Sequence, residues 1–107
     1  MSLEQHTLED PYGLYQTFNC NIPKTNISSA SLRILSDAVL NFSHDHKLIM
    51  MRLIIEHARI NNDLPTDLYV PPYNAKIKDS SVEFIIGEIP AQLKWILLKY
   101  VQMVNGA

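Results

Sequence analysis

The sequence reads as a mainly α domain of three helices, with a short strand or a two-stranded hairpin before the last helix. Three observations predict it. Residues 44–60 are dense in apolar side chains and free of Gly and Pro. Ile89, Leu93, Ile96, Leu97, Tyr100, Val101 and Val104 recur three and four residues apart, the apolar stripe of one helix face. Before them Val82, Phe84 and Ile86 alternate with Glu83 and Ile85, a β-branched and aromatic run with the period of a strand.

A chain of 107 residues, 47% hydrophobic and 19% charged, has the composition of one ordinary globular domain. Its formal charge of −2 offers no basic excess for nucleic acid, and no polybasic run suits anionic lipid. The single cysteine, Cys20, cannot form an internal disulfide, so an intracellular, reducing setting is expected. MSLEQHTLEDPYG lacks the basic and apolar regions of a secretory leader. The run from Leu48 to Ile55 is interrupted by Arg52 and is too short to span a bilayer.

Residues 1–27 are expected to be an irregular arm, because Pro11, Gly13, Asn19, Asn21, Pro23 and Asn26 punctuate them closely. Leu8, Tyr12, Leu14, Tyr15, Phe18 and Ile22 give this arm apolar anchors, which either pack along the core or offer an aromatic surface to a partner. Residues 28–107 form the helical domain. Ser28, Ser29 and Ser31 are N-cap candidates for a first helix over about 31–40, with Leu32, Leu35, Val39 and Phe42 facing inward. Ser43 and Asp45 open a second helix over 44–60, with Leu48, Met51, Ile54, Ile55 and Ala58 on its main apolar side. Ile49, Met50 and Leu53 widen that surface, so that cover on two sides is expected, and Arg52, Glu56 and Arg59 make its polar stripe. Asn61–Asn74 is a loop by its prolines, aspartates and asparagines, pinned by Tyr69, Val70 and Tyr73. Ala75 to Lys78 reads as a short strand, with Ile77 flanked by Lys76 and Lys78, that could fold back on Val82–Ile86 through Asp79-Ser80-Ser81. Pro90 suits the first turn of the last helix and Gly106 its end.

Little here suggests catalysis or a cofactor. His44 and His46 lie two apart and do not share a helix face, so His44-Asp45-His46 reads as a solvated helix start rather than a metal site. His57, between Glu56 and Ala58, reads as an exposed or half-buried helix residue. Cys20 has no companion motif, and no phosphate loop or nucleophile elbow occurs. Trp95 and Leu98 lie off the main stripe of the last helix. Either the arm covers them or they contact a partner or a second copy.

Three segments resemble the NET, or extra-terminal, domain of the bromodomain and extra-terminal family and of related chromatin-complex subunits. LSDAVLNFSHDHKLIMMRLIIEHA (35–58) is similar to that family's first helix, break and second helix. VEFIIGEIP (82–90) resembles its strand and following turn, and LKWILLKYV (93–101) its last helix. The likeness covers about Ser31 to Val104. The chain departs from the family pattern at Ile86, which stands where an Asp is usual, and in lacking a Pro in the break after the first helix.

The resemblance implies a non-enzymatic interaction module that captures short Lys/apolar linear motifs of transcription or chromatin regulators by strand addition, without a cofactor and in the nucleus. On that reading Glu83, Phe84, Ile85 and Ile86 supply the strand edge, and Glu88 pairs with lysine. Leu48, Met51 and Ile55 line a groove from the second helix, and Leu93 and Leu97 from the last. A Lys76-Ile77-Lys78 strand folded onto Glu83 would then occupy the ligand's place. Two alternatives stay open: a small cytoplasmic or viral assembly protein acting through a helical homodimer, and a small helical DNA-binding domain.

Overall fold

The computed structural model describes residues 11–67, 70–79 and 81–106. They form helices α1 (Pro11–Phe18), α2 (Ser29–Asn41) and α3 (His44–Ile60), then strands β1 (Lys76–Lys78) and β2 (Ser81–Glu83). A 3-10 turn (Ile86–Glu88) follows, and helix α4 (Ala91–Gly106) is the last element among the described residues. The expected class holds: mainly α, with an antiparallel hairpin before the last helix.

Local chemistry accounts for the helix starts. Ser28 Oγ accepts from the Ser31 N–H at 3.1 Å and caps α2, and Ser43 Oγ accepts from the His46 N–H at 3.4 Å and caps α3. Pro90 stands one residue before α4, where its carbonyl accepts the Lys94 N–H at 3.0 Å.

The arm differs from expectation, because it contains helix α1. Pro11 is preset for a first helical position, and Tyr15 and Phe18, three apart, turn to one side and are both buried. Their burial outweighs the local punctuation that argued for irregular chain. Leu8 and the side chain of Tyr12 fall outside the described residues. Beyond α1 the chain runs along α4: Gln92 Nε2 donates to Asn19 Oδ1 at 2.7 Å, Trp95 Nε1 to the Thr25 carbonyl at 2.8 Å, and Lys99 Nζ to the Cys20 carbonyl. Trp95 is thus tied to the arm, and Leu98 is buried.

Helix α3 is covered on two sides, as its wide apolar surface predicts, but its buried arc is shifted from the main side expected and takes in Glu56 of the polar stripe. Ile49, Met50, Leu53, Ile54, His57 and Ala58 are buried, whereas Ile55 is 41% exposed and Leu48 and Met51 are half-buried. The cause is that α3 packs against both α1 and α4, so its buried arc is set by two neighbours. His57 is accordingly not a surface residue. It is 3% exposed, and its Nδ1 lies 2.7 Å from Tyr15 Oη. His46 is half-buried too, with Nδ1 2.9 Å from Tyr100 Oη, while His44 and Asp45 are exposed.

The strand is shorter than the expected 82–86. Phe84, Ile85 and Ile86 leave it, because the chain turns there: Glu88 N–H donates to the Ile85 carbonyl at 2.9 Å and Ile89 N–H to Ile86 at 3.2 Å. Of the expected loop anchors, Tyr73 packs against the core and donates to Asp63 Oδ2 at 2.9 Å, Val70 is 48% exposed, and Tyr69 lies outside the described residues. Among the described residues no helix is long and apolar enough to cross a membrane.

Burial pushes the His57 imidazole below its usual 6.5, against a weaker upward pull from Asp63. The unfolded chain therefore binds more protons than the folded one as pH falls below about 6.5, and stability declines in that direction. The urea midpoint should drop between about pH 7.5 and pH 5.5, and the drop should shrink in His57→Gln. Parallel pH profiles for the two proteins would show that His57 is not responsible.

Candidate functional site: an apolar groove beside a strand edge

Strand β2 lies along a groove of about 620 Å³. Helix α2 contributes Leu35, Ser36, Val39 and Leu40 to it, and α3 contributes Lys47, Met50, Met51 and Ile54. Ser81, Val82, Glu83 and Phe84, with Ile86 and Ile89 beyond them, form the opposing wall, and Leu97 of α4 reaches it from the core. The size and apolar lining suit a site for a few apolar side chains.

The placement of β2 decides what else the groove can do. Successive side chains of a strand point to opposite faces, so a groove against a strand's face meets every second residue. Here all three residues of β2, 81–83, border it, and no residue of β1 does. The groove therefore runs beside an edge of β2, on the side away from β1.

The hairpin confirms which groups that edge offers. Lys76 pairs with Glu83, Ile77 with Val82 and Lys78 with Ser81, around a turn whose Asp79 has φ of 54°. In a hairpin with a two-residue loop the closing pair is the hydrogen-bonded one, and bonded and non-bonded pairs alternate from there. Ser81 and Glu83 thus spend their amide groups on β1. Val82 turns its own outward, toward the groove, and Phe84 lies one residue past the end of β2.

The expected pairing of 76–78 with β2 is present. Lys76-Ile77-Lys78 does fold onto Glu83, yet it covers the edge of β2 opposite the groove and leaves the groove side uncovered among the described residues. All three β1 residues are exposed, Ile77 at 58%.

Of the side chains expected to bind a partner, Glu83, Phe84, Ile86, Met51 and Leu97 border the groove. Ile85 and Glu88 are exposed outside it, Ile55 and Leu48 lie on other parts of α3, and Leu93 is sealed in the core. Helix α2 was overlooked as a wall. Its Leu40, 78% exposed at the groove's margin, was legible only as an apolar residue outside the inward stripe.

A second depression of about 380 Å³ lies between α2 and the end of α4, lined by Ile34, Asp37, Ala38, Asn41, Phe42 and Asn105, with no strand beside it. The described residues bring no three His, Cys, Asp or Glu side chains together as a metal site would need. No protein-family model, curated protein or solved structure significantly matches the chain.

Hydrogen exchange checks the edge assignment. The Glu83 amide should be protected, and the Val82 amide, one residue away, should exchange at close to the open-chain rate. Equal protection at both would place another strand or a side chain over the groove-side edge.

Proposed function

We propose that the chain is a non-enzymatic interaction module that takes an extended segment of a partner protein onto the groove-side edge of β2. One observation carries this: a strand edge with no neighbouring strand among the described residues and an apolar groove lie side by side. Main-chain bonds to Val82, continued past the strand's end at Phe84, would set the register, and alternate apolar side chains would enter the groove, the usual division of labour in β-augmentation. The product would be a three-stranded sheet with β2 in the middle, which also removes an edge that a chain otherwise has to protect.

The NET-like character read from Leu35–Ala58, Val82–Pro90 and Leu93–Val101 points to the same mode of binding. It makes the partner's segment a Lys/apolar motif of a transcription or chromatin regulator, with the nucleus as the place of action. Glu83 is the groove's carboxylate and supports the lysine preference. Assembly through Trp95 and Leu98 has less support, since Trp95 is hydrogen-bonded to the arm and Leu98 is buried.

Leu40→Asp tests the reading with little risk to the fold, because Leu40 is exposed. With an end-capped synthetic peptide of alternating lysine and isoleucine as probe, the substitution should weaken binding about ten-fold or more, with the thermal midpoint unchanged. Unchanged affinity would show that the peptide does not use the groove.

A further inference from the structure

Two formal charges stand on the groove's walls, and they are opposite in sign: Glu83 on β2 and Lys47 near the start of α3. The hydroxyls of Ser36 and Ser81 are the other polar side chains there. Among the described residues neither charge has an ion-pair partner. Lys76 stands directly across the hairpin from Glu83, yet no ion pair joins them, and Lys47 has no ion-pair partner among the described residues. The helix start that carries Lys47 adds its own positive end to that wall, while Asp45 in the same turn stays outside the groove.

A segment that laid only lysines along this groove would satisfy Glu83 and set a like charge against Lys47. A segment with only acids would do the reverse. Like charges brought together during docking select against a partner more strongly than good pairs select for one.

We propose that the extended segment taken by the groove carries both signs of charge, a basic side chain against Glu83 on the strand wall and an acidic one against Lys47 on the helix wall, with apolar residues between. The proposal rests on the groove-binding reading above and narrows its partner from a lysine-rich motif to a mixed-charge one. Leu40, Met50 and Met51 then serve as an adaptable apolar surface that tolerates different side chains, as flexible thioethers do. The charges, rather than the apolar shape, set the choice of partner.

Three end-capped peptides of about ten residues on one alternating isoleucine/valine frame test it. One has lysine at every polar position, one has glutamate there, and one has lysine toward one end and glutamate toward the other. At low salt the mixed peptide should bind about five- to ten-fold tighter than either of the others. Lys47→Glu should shift the preference to the all-lysine peptide, and Glu83→Lys to the all-glutamate peptide. Both residues are exposed, so both variants should keep the helical circular dichroism of the parent. The double exchange should prefer the mixed peptide with its lysine and glutamate ends swapped. If the all-lysine peptide binds the parent as tightly as the mixed one, and Lys47→Glu leaves that order unchanged, the mixed-charge inference is wrong while groove binding stands. Binding of none of the three would overturn both.

Discussion

Leu93, Ile96, Leu97, Leu98, Tyr100 and Val101 are all buried, because α2 and α3 cover α4 on one side and the arm covers it on another. Tyr100 shows how much converges there. Its hydroxyl meets His46 of α3, and Phe18 of α1 and Phe42 after α2 meet its ring edge-on, at 5.9 and 6.2 Å. Such a tyrosine contributes through area, ring geometry and a hydrogen bond together. With α4 held this way, the segment entering it has little freedom. Ile89 is buried, Phe84 packs against the core, and β2 is placed where its edge meets the gap between α2 and α3.

The groove is what this packing leaves unfilled. Ile54 and Leu97 belong to the core and also border the groove, so its inner surface is as firmly placed as the core itself. Its margin is different. Leu40 keeps most of its surface in water, forgoing about 1.5–3 kcal/mol that burial would contribute. A single exposed leucine is unremarkable, but one set beside a methionine pair and a strand with outward-facing amides has a reason to be there. The hairpin serves the same arrangement. It closes one edge of β2, and the lysines of β1 discourage pairing on its own far edge.

Much of this architecture was legible in the residues alone. Ser28 and Ser43 announced the starts of α2 and α3, the three-and-four spacing from Ile89 to Val104 outlined α4, and Lys76–Lys78 could be matched to the segment containing Glu83. What escaped detection depended on distant parts of the chain. Helix α1 is too short to show a period, and it exists because Tyr15 meets His57, forty-two positions away. The buried arc of α3 is set by two neighbours, so the local pattern put Ile55 inside and His57 near the surface. Ile85 and Ile86 fit the alternation of a strand, but the chain must turn there to reach α4. At the groove, Glu83 and Phe84 border it as the resemblance implied; Lys47 and Leu40, on a helix end and an off-stripe position, become neighbours of β2 only through tertiary packing.

The account turns on β2 having β1 on one edge and an open edge over the groove on the other. Isotope-filtered nuclear Overhauser spectroscopy of the labelled protein with the unlabelled mixed-charge peptide tests this most directly. The account predicts cross-peaks from the peptide backbone to the Val82 and Phe84 amides, with the Lys76–Glu83 and Lys78–Ser81 cross-strand peaks intact. Peptide contacts elsewhere on the surface, or loss of the β1–β2 peaks as the peptide binds, would contradict it.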